Sequence, residues 1–143
     1  MIEFHLDSSS GVPPYLQLVH QVKQALRLGL LGVGDQLPTV REVVKRLVIN
    51  PNTVLKAYRE LEHEGLVASR PGQGTFVLRS LAATSVASHA ALRRSLARWL
   101  RTARAAGLDD ESILALINTT FRDTTQDGQV GEGAEGAEGE VTA

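Results

Sequence analysis

Two helix starts lie close together in this chain, and only a tight turn separates the helices that they begin. Thr39 and Glu42 have the spacing of a capping box, in which each side chain accepts a hydrogen bond from the other residue's backbone N–H. Asn50 is a favoured N-cap residue, and Pro51 suits the first helical turn. Residues 48–49 are left for the turn. Two short helices joined in this way predict a helix-turn-helix, whose second helix can enter the major groove of DNA.

The flanking segments predict a winged arrangement around these two helices. After Pro13, apolar residues at helical spacing predict a first helix that ends near Gly29, and residues 35–37 form a short extended link. After the third helix, the strand-prone runs 66–70 and 75–78 flank a Gly-rich turn. This pattern predicts a β-hairpin, which would form the wing.

The third predicted helix combines an apolar side with a polar beginning. Asn52, Thr53 and Lys56 follow its N-cap and lie outside the apolar stripe. Asn can pair with both exposed groups of adenine, and Thr can contact a thymine methyl group or a phosphate. Asn50 could either serve only as the cap or contact DNA as well, and the pattern leaves both open. The inward-facing residues are Val54, Ala57, Tyr58 and Leu61.

Two arginines flank this polar helix start in the predicted fold. Arg41, in the first turn of the second helix, can reach a phosphate or a base edge. Its alternative role is a surface ion pair with Glu42 or Glu60. Arg70 precedes the Gly-rich turn 71–74, so the hairpin can present a cation and backbone N–H groups to a phosphate or a minor groove. The alternative for the hairpin is an ordinary polar tip.

Five motifs follow one another along residues 13–78. They are Pro14-Tyr15-Leu16-Gln17-Leu18, Leu37-Pro38-Thr39-Val40-Arg41-Glu42, Asn50-Pro51-Asn52-Thr53-Val54, Tyr58-Arg59-Glu60-Leu61-Glu62 with Glu64-Gly65-Leu66, and Gly72-Gln73-Gly74-Thr75-Phe76-Val77. In order and spacing they resemble the motifs of the GntR regulators. The Asn-Pro-Asn-Thr-Val run and the short C-terminal part are most similar to the YtrA subfamily. Several motifs at consistent spacing make the resemblance specific, whereas any one of them alone would be weak.

The resemblance implies a winged helix-turn-helix that binds an inverted-repeat operator as a homodimer and usually represses transcription. It also implies DNA contacts from Arg41, from the start of the third helix and from the wing tip. Val33 stands where many members have Pro, and Leu55 replaces an Arg frequent in other subfamilies, which argues against a base contact there. The candidate DNA-contacting residues are Thr39, Arg41, Asn50, Asn52, Thr53, Lys56, Arg70, Gly72, Gln73 and Gly74.

Residues 80–125 show two further helical patterns, of which the first is rich in Ala and Arg. Two helices are too few to enclose a metabolite pocket of ~300 Å³. They can instead bury their apolar faces against the same helices of a second chain, so we expect a dimerisation region. The alternative is that they fold back on their own domain. The candidate interface residues are Leu92, Leu96, Trp99, Leu100, Ile113, Leu116, Ile117 and Phe121.

Charge is unevenly distributed along the chain. Five of the 16 acidic residues follow Gln126, where there is no Lys or Arg, so the rest of the chain carries 15 basic and 11 acidic residues, a net +4. A mildly basic folded part permits a polyanionic partner. The Gly- and Glu-rich segment 126–143 has too few apolar residues to form a core, and we expect it to be disordered.

Several functional classes are not expected. The chain has no Cys, and its four His show no metal-ligand spacing, so we predict no metal, no cofactor and no enzymatic activity. We expect neither a signal peptide nor a membrane helix, hence a cytoplasmic protein. Nothing in the residues identifies a small-molecule effector.

The predicted fold is mainly α with a small β-hairpin, a winged helix-turn-helix followed by a two-helix C-terminal dimerisation unit. Its parts are a flexible N-terminal arm (1–12), the DNA-binding domain (13–79), the helical dimerisation region (80–125) and the acidic tail. The corresponding function is sequence-specific DNA binding by a transcription regulator, and the resemblance implies a repressor. The alternative is a winged-helix adaptor that binds proteins and has no specific operator.

Overall fold

The computed structural model describes residues 2–82 and 86–141, with side chains described for 2–82 and 89–127. The chain divides into two compact units, Met1–Ala91 and Leu92–Ala143. The mainly helical fold with one two-stranded hairpin confirms the predicted fold class. Its elements are α1 (Pro14–Arg27), α2 (Val40–Leu47), α3 (Pro51–His63), β1 (Val67–Arg70), β2 (Gly74–Val77), α4 (Val86–Ala105) and α5 (Asp110–Val141).

The two predicted helix caps are present. The Thr39 hydroxyl accepts from the Glu42 backbone N–H at 3.2 Å, and the Glu42 carboxylate accepts from the Thr39 N–H at 3.3 Å. The Asn50 side-chain oxygen accepts from the Asn52 N–H at 2.9 Å, so Asn50 is the N-cap of α3. Between the helices, Val48 ends α2 in the left-handed conformation, with φ of 53°.

The core of the first unit forms around α3, which packs against α1, α2 and β1. The apolar residues of α3 that were predicted to face inward are all buried. Because the inner face is fully occupied, the remaining positions of α3 are left to face solvent or the wing. The core consists of Phe4, Leu18, Val19, Val22, Ala25, Leu26, Leu31, Leu37, Val43, Val54, Ala57, Tyr58, Leu61, Leu66, Val67 and Val77.

The hairpin is antiparallel and carries a third strand-like segment on its outer edge. Val67 pairs with Val77 and Arg70 with Gly74. The link 35–37 runs along β2, where the Val77 N–H donates to the Asp35 carbonyl at 2.8 Å and the Leu37 N–H donates to the Thr75 carbonyl at 2.9 Å. The link that we predicted is therefore a paired edge, which ties the wing to the chain just before α2.

Residues 2–12 differ from the flexible arm that we expect from the sequence. Phe4 is only 5% exposed and belongs to the core. The Gln21 side chain accepts from the His5 N–H at 3.1 Å and donates to the His5 carbonyl, and Gln17 does the same for Asp7. Two glutamines one helical turn apart therefore hydrogen-bond to the N–H and carbonyl groups of an extended backbone, as a neighbouring β-strand would. The segment is packed against α1, because its alternate apolar side chains reach the core.

The second unit contains the helical turn between α4 and α5. Gly107, with φ of 95°, follows α4, and the Asp109 carboxylate accepts from the Ser112 N–H at 2.8 Å. Hydrogen bonds from the Ser112 side chain and from its backbone N–H lower the pKa of Asp109. Ala103 and Ile113 are the buried apolar residues on the two sides of the turn. The Asp109 side chain thus caps the start of α5.

The backbone of α5 continues to Val141, into the segment for which we expect disorder. Helical hydrogen bonds are local, and Ala and Glu are good helix formers, so a helix can continue through this segment without packing against a core. The side chains of Val86 and of residues 128–143 lie outside the described residues. The disorder expected for residues 126–143 stays a prediction.

Candidate DNA interface

An open cleft of about 590 Å³ separates α3 from the wing. Five of the predicted DNA-contacting residues line it: Thr39 at the start of α2, Arg70, and the wing residues Gly72–Gly74. From α3 come Leu55, Arg59 and Glu62, which occupy the side of the helix that faces the wing. The cleft thus joins the helix-turn-helix and the hairpin into one concave surface with two arginines. The other residues that line it are Val40, Tyr58, Ser69, Pro71 and Thr75.

The remaining predicted residues lie outside this cleft, at the start of α2 and α3. Asn52 and Lys56 are exposed, and Thr53 is half-buried. The Lys56 Nζ lies 4.0 Å from the centroid of the Tyr15 ring, which α1 contributes. The predicted set is therefore divided between the wing side of α3 and its N-terminal end.

Arg41 is exposed in the first turn of α2. None of the ion pairs found among the described side chains involves it, so the alternative pairing with Glu42 or Glu60 is absent there. The arginine that does pair on α2 is Arg46, which contacts Glu3 at 3.1 Å. An unpaired guanidinium at the start of α2 has all its N–H donors available for an external acceptor.

The caps occupy two of the predicted polar side chains. Thr39 and Asn50 both accept backbone N–H groups in the free protein. Each hydroxyl or amide still has hydrogen-bonding capacity, because Asn keeps two N–H donors and Thr keeps its O–H. The first role of both residues is therefore to cap a helix, and they can contact DNA only with the hydrogen-bonding groups that capping leaves unused.

The wing tip is built by a tight turn. The Gln73 N–H donates to the Arg70 carbonyl at 2.9 Å, with Pro71 and Gly72 in the central positions and φ of 74° at Gly72. Proline followed by glycine at positive φ is typical of a type II turn. The Arg70 guanidinium lies 4.5 Å from the centroid of the Phe76 ring. The cation is thus held over the hairpin surface and is not extended from its tip.

Gly74 has a backbone conformation that favours glycine, because its φ of 129° is rarely adopted by residues with a side chain. A Cβ there would lie 2.5 Å from Nε2 of the flexible Gln36 side chain, which would have to move. The same Gln36 amide donates to the Gln73 carbonyl at 3.1 Å. Gln36 therefore supports the base of the tip from the paired edge, so that the shape of the tip depends on residues outside the hairpin.

Tyr58 connects the third helix to the segment before α2. It is buried, and its hydroxyl donates to the Pro38 carbonyl. Burial raises the pKa of Tyr58 well above its usual value, and the nearby Glu42 carboxylate adds to the effect. This contact holds Pro38 in place and thereby positions the neighbouring Thr39 at the edge of the cleft.

Sequence reasoning missed Arg59, Tyr15 and Gln36 as residues of this surface. Arg59 lies one helical turn after Leu55, on the side of α3 that faces the wing, and the sequence alone does not indicate which side that is. Tyr15 and Gln36 carry no local signal either, because they act through contacts with residues far away in sequence. Among the described residues there is no cluster of His, Asp and Glu that could hold a metal ion. The helices as described also include none with the length and apolar character needed to cross a membrane.

Comparison with known proteins assigns the chain to a family. The family model "Bacterial regulatory proteins, gntR family" matches residues 14–77. The transcriptional repressor YtrA of Bacillus subtilis is 35% identical over 109 residues, which are 76% of this chain and 84% of that protein. The regulator Rv1152 of Mycobacterium tuberculosis is 40% identical over 112 residues, 78% of this chain and 88% of its own.

A solved structure also resembles this fold. The crystal structure of a transcriptional antiterminator from Listeria monocytogenes has a TM-score of 0.52 and 30% sequence identity, and the match covers 85% of this chain and 92% of that one. The similarity extends beyond the winged region into the C-terminal helices, as the coverage requires. The chain therefore belongs to the GntR family of bacterial regulatory proteins and is YtrA-like within it.

Proposed function

We propose that this chain is a cytoplasmic DNA-binding transcription regulator that binds an inverted-repeat operator as a homodimer and represses transcription. The observation that carries the proposal is the cleft that Arg59 of α3 and Arg70 of the wing line together as one concave surface. Arginine donates hydrogen bonds in a fork that suits phosphate oxygens. A duplex whose major groove receives α3 would place its backbone against this cleft and the wing.

Within this surface, the residues divide into two roles. Arg41, Arg59, Arg70 and the backbone of Gly72–Gly74 are suited to contact phosphates, which position the protein without reading sequence. Asn52 is exposed at the start of α3, where side chains of a recognition helix reach base edges. Thr53 follows Asn52 along the helix, and we assign sequence readout to these two residues and not to the wing. Lys56 lies one turn further along, where its ammonium group suits a phosphate contact.

The second unit supports dimer formation. Leu92, Leu96 and Trp99 recur at helical spacing along α4, and Leu92 is 71% exposed. On α5, Phe121 is 74% exposed. Exposed apolar residues in such a stripe favour association, since burial against a partner removes their surface from water. The occupant that we propose is the same surface of a second copy, including Leu100, Leu116 and Ile117 of the predicted interface. Ile113, which the sequence also predicted for this interface, is only 3% exposed in the single chain and packs within the second unit.

Dimer symmetry then determines the form of the operator. A two-fold pair of winged domains presents two copies of α3 to two half-sites, so a symmetric protein selects an inverted repeat. Occupation of such a site within a promoter would block transcription. Repression is thus the outcome that we propose for the regulated gene.

The test is a mobility-shift titration with DNA from around the chain's own promoter, against bulk competitor DNA and over a range of salt concentrations. A regulator should select a fragment and lose affinity steeply as salt rises, because cations on the protein displace phosphate counterions. If no fragment outcompetes bulk DNA, here or in a genome-wide selection, the alternative of a protein-binding adaptor is favoured instead. The variant Arg59→Gln should weaken binding to all sequences alike.

A further inference from the structure

We propose that Tyr15 is a positioning residue of the DNA interface, whose ring holds the Lys56 ammonium group where it contacts a DNA phosphate. The proposal rests on the DNA-binding function proposed above and assigns a new role within it. It adds α1, which lies outside the helix-turn-helix and the wing, to the elements that determine DNA affinity.

The contact between the two side chains is close and comes from different helices. The Lys56 Nζ of α3 lies 4.0 Å from the centroid of the Tyr15 ring of α1. An ammonium group within about 6 Å of a ring centroid is attracted by the electrons of the ring face. None of the described ion pairs involves Lys56, whereas Lys23 is held by Glu64 at 2.8 Å. The ring is thus the partner that the structure gives to the Lys56 charge.

The position of the ring is determined by the core. Tyr15 is half-buried and packs against the buried cluster of the first unit, and α1 and α3 pack against each other. Lys56, by contrast, is exposed. A firmly held ring therefore faces a flexible side chain that would otherwise sample many rotamers.

The contact with the ring leaves the Lys56 ammonium group able to bind a phosphate. A lysine ammonium has three N–H donors, and the ring face covers one side of it. The donors on the exposed side stay available for a phosphate oxygen. Holding the side chain in advance lowers the entropy lost on binding, so the ring should increase affinity for DNA.

The location of the contact extends the DNA surface in a new direction. The cleft lining includes Leu55, Arg59 and Glu62 of α3 but not Lys56. Recognition helix α3 therefore carries cations on two sides, Arg59 towards the wing and Lys56 towards α1. The wing uses a similar arrangement within itself, since Arg70 lies over the Phe76 ring. Only the Tyr15 contact joins two helices in this way among the described cation–ring pairs.

A double-mutant cycle tests the proposal. The affinity of the full chain for a mixed-sequence DNA duplex is measured over a range of salt concentrations for Tyr15→Leu, Tyr15→Phe, Lys56→Met and the combined variant Tyr15→Leu with Lys56→Met. Tyr15→Leu should weaken binding about two- to fivefold, the size of an exposed cation–ring contact. Tyr15→Phe keeps the ring face and should bind like the unmodified chain. Lys56→Met should reduce the salt slope by about one.

The combined variant separates positioning from a structural effect. In the Lys56→Met background, Tyr15→Leu should cause no further loss, because the side chain that it positions is gone. An equal loss in both backgrounds would mean that Tyr15 acts only on the stability of the fold and would overturn the proposal. Thermal unfolding of each variant gives the temperature at which all are folded and can be compared.

Two other results would also overturn it, and a third concerns the function itself. If Tyr15→Phe loses as much affinity as Tyr15→Leu, the hydroxyl contacts DNA directly and the ring does not act through Lys56. If Lys56→Met binds like the unmodified chain at every salt concentration, there is no phosphate contact to position. If the unmodified chain does not bind duplex DNA at all, the DNA-binding function fails, which is a distinct outcome.

Discussion

At the scale of single residues, Asn50 and Asn52 show how one motif can serve two purposes. Asn50 caps α3 by accepting the N–H of Asn52. The side chain of Asn52 is exposed in the first turn of α3. The cap is a local property that the sequence predicts directly, since N-cap preferences depend on neighbouring backbone groups. DNA contact by Asn52 is a proposal, because it depends on a partner outside the chain.

The two asparagines should therefore respond differently to replacement by alanine. We expect Asn52→Ala to lose about 1–3 kcal/mol on an operator selected from random DNA and much less on unrelated duplexes, as loss of a base contact requires. Asn50→Ala should instead lower the free energy of unfolding by about 1 kcal/mol. Mobility-shift titrations and urea unfolding measure the two effects. An equal loss for Asn52→Ala on every sequence would argue against base readout.

Val48 is a further residue with a measurable consequence. It is 88% exposed and has φ of 53°, a conformation that is unfavourable for a β-branched side chain. Val48→Gly should relieve this strain and raise the free energy of unfolding by about 1 kcal/mol. Val48→Ala is the matched control, since it removes the branched side chain but keeps a Cβ. Equal unfolding midpoints for the two variants in urea would show that the backbone conformation is not the cause.

At the scale of elements, the buried Tyr58 hydroxyl links α3 to the segment before α2. The ordinary pKa of tyrosine is about 10, and burial raises the pKa of Tyr58 in the fold. The folded state therefore favours the neutral phenol, and its contribution to stability is complete below pH ~10. Above that pH the unfolded chain ionises first, so the free energy of unfolding should fall by up to about 1.4 kcal/mol per pH unit.

Tyr58→Phe tests this linkage. The variant should lose about 1 kcal/mol near neutral pH, because the buried Pro38 carbonyl loses its hydrogen bond. Between neutral and alkaline pH, the free energy of unfolding measured in urea should fall less for this variant than for the unmodified chain. Other titrating groups are the same in both proteins and cancel in the comparison. Parallel pH profiles for the two proteins would contradict the assignment to Tyr58.

The elements also show why some features could be predicted and others could not. The starts of α2 and α3 and the hairpin turn follow from caps and turn residues that are neighbours in sequence. The edge formed by residues 35–37 and the packing of Phe4 could not be predicted in this way, because they depend on pairing partners about 16 residues or more away, such as Gln21 for His5. Arg59 was missed for the same reason: its role depends on where the wing lies.

At the scale of the whole molecule, the division into two units matches the division of tasks that we propose. Leu81 still packs against the core of the first unit, and the apolar stripe of α4 begins at Leu92. A chain that ends at Ala91 should therefore fold, be monomeric in light scattering, and bind an operator more weakly than the full chain. If it remains dimeric, the assignment of dimerisation to α4 and α5 is wrong.

A substitution within the full chain gives a sharper test of the same interface. Leu96→Glu places a charge in the apolar stripe of α4 and should dissociate the dimer, since a buried unpaired charge is strongly unfavourable. Val33→Glu is the matched control, because Val33 is an exposed apolar residue of the first unit. We expect the control to sediment as the unmodified chain does. A dimer that survives Leu96→Glu would exclude this stripe from the contact.

The paired edge at residues 35–37 has a consequence for how an operator is chosen. A hairpin anchored on one side cannot swing freely to follow whatever backbone it meets, so the gap between its tip and α3 has a preset span. Duplexes differ in groove width and in the ease with which they bend, depending on their base composition. A protein whose wing tip is held at a fixed distance from α3 should therefore discriminate among flanking DNA sequences that none of its side chains contacts.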